Sequence, residues 1–146
     1  MKVPLANSEQ FALIDDEDKN IVLQYRWYLN TDGYVRTTTL PRLSLHQLVV
    51  GASPTGAWDH ANGNKLDCRS ENLRAATVSE NGANRKRGRN NSSGYKGIDS
   101  QAGLWRVRIA VNGKRIYLGH FTNLERAAEA YESAARKHFG KFARAN

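Results

Sequence analysis

The chain has 146 residues, which is enough for one ordinary domain or two small ones, and it carries a formal net charge of +8. Its only cysteine, Cys68, excludes an internal disulfide and a Cys-rich zinc cluster, and the four histidines have no spacing that indicates a structural zinc site. No apolar run approaches the roughly 20 residues of a membrane span, and residues 1–4 lack the apolar core of a signal peptide. We therefore expect an intracellular protein with no membrane partner.

The positive charge is concentrated in one half of the chain. Residues 1–84 hold eight Lys and Arg against ten Asp and Glu, whereas residues 85–146 hold fourteen against four. A basic segment joined to a nearly neutral one is typical of nucleic-acid binding. The alternative is a basic surface that is merely solvated.

The first segment of the chain predicts short strands. Residues 11–14, 25–29 and 34–38 are rich in β-branched and aromatic side chains, and an Asp-Gly turn separates the last two as in a hairpin. Between the first two strands, the acidic pair Asp15 and Asp16 favours the start of a short helix that runs to Tyr25. By itself this segment indicates no chemistry.

Residues 57–83 predict two strands, a loop between them and a helix. Residues 57–60 form the first strand, 61–72 the loop and 73–76 the second strand. Thr77 and Glu80 match a capping box, so the helix should start there.

Four polar residues of this region carry its candidate chemistry: Asp59 and His60 at the end of the first strand, Asn72 at the end of the loop, and Asn81 in the first turn of the helix, facing back to the strands. A carboxylate and an amide oxygen suit a hard divalent cation, and a neighbouring neutral histidine suits the deprotonation of water. The alternative is an ordinary polar loop, since Asn62-Gly63 is a strong turn signal.

The run Asp59-His60-Ala61-Asn62-Gly63-Asn64, followed by Asn72-Leu73-Arg74 and then Asn81, resembles the HNH nucleases, or ββα-metal nucleases, in their phage homing-endonuclease branch. The resemblance covers residues 43–87. It implies that Asp59 and Asn81 bind one Mg²⁺ or Mn²⁺ ion and that His60 is the general base. It also implies that Asn72 orients the imidazole by bonding its other ring nitrogen.

His46 matches a histidine that usually precedes the core in this branch of the family. Its role stays open between a phosphate contact and a hydrogen-bonded packing residue. The segment before it resembles the N-terminal extension often found ahead of such domains.

Residues 85–94 form a basic, polar linker with four cationic side chains: Arg85, Lys86, Arg87 and Arg89. It can be a flexible tether, a set of phosphate contacts, or both. Residues 105–111 then alternate apolar side chains with Arg106 and Arg108, and Asn112-Gly113 is a two-residue hairpin turn.

A helix follows the hairpin. Thr122 and Glu125 match a capping box, and an apolar stripe at helical spacing would pack on the sheet. The stripe comprises Leu124, Ala127, Ala128, Tyr131, Ala134, Ala135 and His138.

The outer face of this sheet is cationic with one aromatic residue. It would carry Lys96, Arg106, Arg108, Lys114, Arg115 and Tyr117. Arginine can pair with guanine through two hydrogen bonds, while lysine mostly holds phosphates, so the face suits the major groove of duplex DNA. The alternative is the solvated face of an ordinary sheet.

Residues 94–146 resemble the AP2 domain, known from plant transcription factors and from phage HNH endonucleases. The resemblance is carried by the segments 95–98, 105–109, 113–121, 125–131 and 139–146. Asp99 is a departure, because plant relatives carry a basic contact residue near this position. This departure bears on affinity or base preference at this position.

Together these patterns predict an α+β protein with a β-rich N-terminal extension, a ββα-metal core, and an AP2-like three-stranded antiparallel sheet packed on one helix. The expected domains are residues 1–87 (core 43–87), a linker at 88–93, and 94–146. The expected function is metal-dependent hydrolysis of duplex DNA, of the homing type. The alternative is a non-cleaving DNA-binding regulator. The target site, the product and the oligomeric state, for which a monomer is plausible, stay open.

Overall fold

The computed structural model describes residues 1–144 of the chain, which divides into two compact units, Met1–Thr77 and Val78–Asn146. Ala145 and Asn146, the last two residues of the expected AP2-like domain, lie outside the described residues. The boundary falls ten residues before the expected end of the nuclease domain at residue 87. Each unit mixes small antiparallel sheets with a few helices, so the α+β class is confirmed at that level.

The N-terminal unit contains three two-stranded antiparallel sheets and two short helices in the described chain. Its elements are β1 (Lys2–Leu5), β2 (Ser8–Leu13), α1 (Lys19–Val22), β3 (Trp27–Leu29), β4 (Val35–Thr37), α2 (Leu45–Val50), β5 (Ala57–His60) and β6 (Leu73–Ala76). The sheets pair β1 with β2, β3 with β4, and β5 with β6. The predicted hairpin and both predicted core strands are therefore confirmed.

Two details of the first segment differ from the sequence prediction. β1 was not predicted. Pro4 is compatible with it because β1 pairs with β2 in a two-stranded sheet and is an edge strand. The helix expected to reach Tyr25 ends at Val22. The Trp27 indole donates to the Val22 carbonyl at 2.9 Å, which turns the chain away from the helix axis.

One hydrophobic core serves the whole N-terminal unit. Its buried members come from all three sheets and both helices: Val3, Leu5, Ala12, Ile14, Val22, Trp27, Val35, Leu45, Cys68 and Leu73. The predicted N-terminal extension is thus built into the same core as β6 and the loop before it. Burying each large apolar side chain stabilises such a unit by roughly 1.5–3 kcal/mol.

The C-terminal unit contains α3 (Val78–Ala83), β7 (Ile98–Gln101), β8 (Leu104–Val111), β9 (Lys114–Phe121) and α4 (Leu124–Phe139). The strands form one antiparallel sheet in the order β7-β8-β9, and α4 packs on it. Asn112 and Gly113 have φ of 50° and 76°, the left-handed values that a tight hairpin turn requires, so the predicted turn is confirmed.

α4 departs from its prediction at both ends. Its N-cap is Asn123, whose side chain accepts from the Arg126 amide at 3.0 Å, rather than Thr122. His138 was expected in the buried stripe but is exposed, and the neighbouring Phe139 is buried in its place. Phe139 lies four residues after buried Ala135, so it stays on the same side of the helix.

The chain before β7 is held by local hydrogen bonds. Ser93, expected in the linker, is buried, and its hydroxyl donates to the Ile98 carbonyl at 2.8 Å. Gly97 has φ of 67°, and a Cβ at this position would overlap the Arg108 carbonyl and the Tyr131 ring. This close approach explains why β7 begins at Ile98. No helix within residues 1–144 is long and apolar enough to cross a membrane.

Candidate active site and nucleic-acid interface

β5 carries the predicted metal ligand Asp59 and, next to it in the chain, the predicted base His60. In this antiparallel pair Asp59 lies opposite Arg74, and His60 lies opposite Leu73. Asp59 and His60 are 2% and 4% exposed, although both are ionisable. Burial of such groups is costly unless they are paired and hydrogen-bonded, which makes the end of β5 a candidate site.

Asp59 is paired with the residue opposite it. The Arg74 Nε donates to Asp59 Oδ2 at 2.7 Å, and the arginine side chain is 21% exposed. This charge-assisted bond holds the carboxylate in one orientation.

The His60 imidazole is packed among other rings. The ring centres of His46 and Tyr34 lie 5.5 Å and 5.9 Å from its own, and the His46 ring meets it edge-on at 83°. Its Nε2 lies 3.9 Å from the Cys68 sulfur. Burial lowers the pKa of His60 below its ordinary value, and this outweighs the opposing effect of the Asp59 charge. The imidazole is therefore neutral at neutral pH, which is the form that a general base needs.

His46 belongs to the same group of rings. Its ring centre lies 5.5 Å from that of Tyr34. Burial, with the charges of His60 and Arg36, lowers the pKa of His46 to about 4. A neutral, ring-packed histidine favours the packing interpretation over a charged phosphate contact.

The loop between β5 and β6 is fastened by Asn72, which is buried. Its side-chain oxygen accepts from the Asn62 amide at 2.9 Å, and its side-chain nitrogen donates to the Asp67 carbonyl at 2.8 Å. The bond to the His60 imidazole expected of Asn72 is not among its contacts in the described chain. Both ends of the amide hold the loop instead, because the loop backbone offers a donor and an acceptor at the right span.

Asp67 is a second residue whose hydrogen bonds hold this loop in place. Its carboxylate accepts from Arg69 Nε and Nη2, both at 2.8 Å, and from Asn62 Nδ2 at 2.9 Å. The bonds from Arg69 lower the pKa of this buried carboxyl. These groups keep the loop rigid beside His60.

Tyr34 and Lys65 were also missed. Lys65 Nζ lies 4.1 Å from the centre of the Tyr34 ring and donates to the Asp32 carbonyl at 2.6 Å. The only local signal for Tyr34 was its position after the Asp32-Gly33 turn, because its contacts with the two histidines span 12 and 26 residues.

Asn81 lies in α3, which belongs to the C-terminal unit, and it is half-buried. Its expected role as a metal ligand rests on the sequence motif. Within residues 1–144, no group of three or more His, Cys, Asp or Glu side chains is arranged to hold a metal ion.

The sheet of the C-terminal unit presents the predicted arginines on one face. Along β8, Val107 and Ile109 are buried while Arg106 and Arg108 are half-buried on the other side. Tyr117 lies opposite Arg108, and Arg115 lies opposite Ala110. Arg115 and Tyr117 are exposed, as is Lys114 beside them.

Lys96 lines a groove together with Arg108 and Arg115, and its ammonium group is bonded within the unit. Its Nζ donates to the carbonyls of Ala83 and Arg144, at 2.6 Å and 3.0 Å. Burial lowers the pKa of Lys96 to about 8, with a smaller contribution from the charge of Arg144. Lys96 therefore ties the termini of this unit together, because its long side chain reaches carbonyls that α3 and the C-terminal segment leave open.

An open groove of about 430 Å³ is lined by cationic side chains from two parts of this unit. It is lined by Arg85, Lys86 and Arg87 from the basic segment and by Arg108 and Arg115 from the sheet. Arg87 and Arg89 are both exposed, and Arg87 Nη1 donates to the Gly94 carbonyl at 2.6 Å. The basic segment and the sheet face thus form one positively charged surface.

The comparisons with known proteins identify the family. The HNH endonuclease family model matches residues 46–83, which include His46, Asp59, His60, Asn72 and Asn81. Over 143 residues the chain is 30% identical to the protein named uncharacterized HNH endonuclease L560 of Acanthamoeba polyphaga mimivirus, covering 93% of this chain and 74% of that protein. The chain belongs to the HNH endonuclease family. It is therefore a nuclease, and DNA is the substrate that the family implies.

A second viral relative shares part of the chain. Over 97 residues the chain is 35% identical to Protein 3.8 of Escherichia phage T7, covering 64% of this chain and 79% of that protein. No solved structure matches the chain significantly.

Proposed function

We propose that the chain is a metal-dependent endonuclease of the homing type that hydrolyses a phosphodiester bond in duplex DNA, which it binds through an AP2-like C-terminal domain. The observation that carries the proposal is the buried pair Asp59 and His60 at the end of β5, inside the family match. Buried ionisable groups in close proximity cluster at catalytic sites.

His60 is the proposed general base. Its imidazole removes a proton from a water molecule whose oxygen attacks the phosphorus, and the 3′ oxygen of the substrate leaves as the new bond forms. The rings of Tyr34 and His46 and the sulfur of Cys68 hold the imidazole in place during this transfer. Its lowered pKa keeps the nitrogen unprotonated at neutral pH.

The donor set suits a divalent ion. Mg²⁺ is usually held by one or two carboxylates together with waters and substrate phosphates, so a cluster of several acidic ligands is not required. Asp59 has two carboxylate oxygens with about four lone pairs, which can serve Arg74 and a cation together. Asn81 stays the second proposed ligand on the motif alone. A bound Mg²⁺ or Mn²⁺ would stabilise negative charge on the phosphate and on the leaving oxygen.

DNA binding is proposed for the C-terminal unit. Its three-stranded sheet, its single long helix and its basic groove support the AP2-like assignment. Arg106, Arg108 and Arg115 would face base edges, while Arg85, Lys86, Arg87, Arg89 and Lys114 would contact phosphates.

The test is plasmid cleavage by the full-length protein with Mg²⁺ or Mn²⁺. We expect open circles to accumulate, because one active site per chain cuts one strand, and we expect EDTA to stop the reaction. His60→Ala should lower the rate by about 10²–10⁴-fold. The control is His138→Ala, which removes an exposed histidine of α4. Cleavage by His60→Ala at the wild-type rate would refute the assignment of the base.

A further inference from the structure

Asp99 forms ion pairs with two arginines of the proposed DNA-reading face. It lies on β7 directly opposite Arg106 of β8. Arg106 Nε donates to Asp99 Oδ1 at 3.1 Å, and Arg106 Nη2 donates to Oδ2. Arg108 Nη2 approaches the same Oδ2 at 3.4 Å. The bidentate contact with Arg106 is therefore the stronger of the two.

The geometry of the Arg106 contact leaves one edge of the guanidinium available. A guanidinium is planar and has five N–H donors, arranged so that two different edges can each make two parallel hydrogen bonds. Asp99 takes the edge formed by Nε and Nη2. The other edge, formed by Nη1 and Nη2, makes no hydrogen bond of this paired kind within residues 1–144. Two parallel donors of this kind match the O6 and N7 acceptors of guanine.

We propose that Asp99 is a specificity-determining residue that holds Arg106 in position to read a guanine. The proposal rests on the proposed DNA binding by the C-terminal unit and assigns a base class to one side chain of that surface. An arginine fixed by a carboxylate loses its conformational freedom before DNA arrives, so less is lost on binding. Arg115, on the same face, is exposed and makes no ion pair in the described chain, so no carboxylate holds its side chain in position.

The residue that faces Arg106 from the other side is also held by hydrogen bonds. His120 lies opposite Arg106 on β9. Its Nε2 lies 3.0 Å from Gln101 Oε1, and its Nδ1 is bonded to the Tyr117 hydroxyl. Arg106 thus has a polar neighbour of fixed orientation on either side.

Asp99 has two effects of opposite sign on DNA binding. Its negative charge repels phosphates, which weakens binding to every sequence. By holding Arg106, it strengthens binding to sequences with a guanine at the contacted position. Removing the carboxylate should therefore raise or preserve affinity for random DNA while it lowers preference for the selected site. A carboxylate that acts only by its charge would change both affinities by the same factor.

The experiment measures binding of full-length protein, without divalent metal, to two duplexes of equal length: a site selected from a random pool with wild-type protein, and unselected random DNA. Asp99→Ala and Asp99→Asn are compared with Glu129→Gln, which removes an exposed carboxylate from α4. We expect Asp99→Ala to lose roughly tenfold or more of the ratio of the two affinities, the loss expected for one bidentate base contact. Glu129→Gln should leave that ratio unchanged. Thermal denaturation shows that each variant is folded.

A second measurement identifies the contact. Each guanine of the selected site is replaced in turn by 7-deazaguanine, which lacks the N7 acceptor. Wild-type protein should lose affinity at each guanine that an arginine reads, and at one of these positions Arg106→Ala and Asp99→Ala should be insensitive to the replacement.

Two results would overturn the proposal in different ways. If wild-type protein binds both duplexes equally, the proposed sequence reading by this unit fails, and the role of Asp99 fails with it. If the wild-type preference survives Asp99→Ala and Asp99→Asn undiminished, the DNA-binding proposal stands and Asp99 is only a negative charge on the surface.

Discussion

Replacing Asn72 by alanine should separate two roles for this residue, fastening the loop and orienting the base. The side chain is 6% exposed and bonds the Asn62 amide and the Asp67 carbonyl. Asn72→Ala leaves both backbone groups without this partner. Each unsatisfied buried group costs about 1–3 kcal/mol, and the Asn62 end is more open to water, so we expect a loss of about 2–4 kcal/mol.

The size of this loss makes it measurable as a melting temperature. For a unit of this length each kcal/mol lowers Tm by about 4–8 °C, so Asn72→Ala should melt at least about 10 °C below wild type. DNA cleavage should fall as well, because the loop joins the strand bearing Asp59 and His60 to the strand bearing Arg74. Asn64→Ala is the matched control. Asn64 is an exposed asparagine of the same loop, and its side chain accepts from only one exposed backbone amide.

The assay is thermal denaturation together with the pH dependence of the plasmid cleavage rate. If Asn72 only holds the loop, the variant should have a lower Tm. Its cleavage rate, measured well below that Tm, should fall on the acid side at the same pH as in wild type. If Asn72→Ala kept the wild-type Tm but shifted that acid limb, the amide would be acting on the imidazole, and the loop-fastening argument would be wrong.

The remaining predictions concern pH, salt and backbone conformation. Lowering the pH from about 6.5 to about 4 should destabilise the N-terminal unit, because the pKa of His46 is about 4 when folded and about 6.5 when unfolded, so the unfolded chain takes up the proton first. His46→Phe should flatten this dependence in urea denaturation at several pH values. Arg89→Ala should weaken binding to selected and random DNA equally and reduce the salt slope by about one, whereas Arg115→Ala should reduce the preference between them. Gly97→Ala should cost at least about 2 kcal/mol more than Gly103→Ala, because both have positive φ but only Gly97 has the Arg108 carbonyl and Tyr131 ring against it. Equal urea midpoints for the two glycine variants would contradict that reasoning.

Local patterns were enough to predict most of the strands. The alternation around Val107 and the Asn112-Gly113 turn depend on neighbours in sequence, and the structure reproduces both. The end of α1 could not be predicted in this way, because it depends on an indole five residues further along the chain. His138 and Phe139 lie about 100° apart around the helix, and Phe139, four residues after buried Ala135, is the one on the packed side.

The sequence indicates where along the chain the candidate site lies, but not which distant residues surround it. The motif identifies Asp59 and His60, because a carboxylate next to an imidazole is a local feature. Tyr34 contacts His60 across 26 residues, and no local pattern indicates that contact. The contacts of Lys96 likewise depend on carbonyls 13 and 48 residues away, which no local pattern indicates.

Burial distinguishes the two Asp–Arg pairs that the proposals use. Asp59 is 2% exposed and Arg74 21%, so the carboxylate is the buried partner and its orientation is fixed from within the unit. Asp99 is 39% exposed and Arg106 25%, so water and salt reach that pair. Rising salt should therefore weaken the hold on Arg106 along with the phosphate contacts, while the Asp59–Arg74 pair is largely unaffected. Sequence preference in DNA binding should consequently decline with salt before the geometry around Asp59 changes.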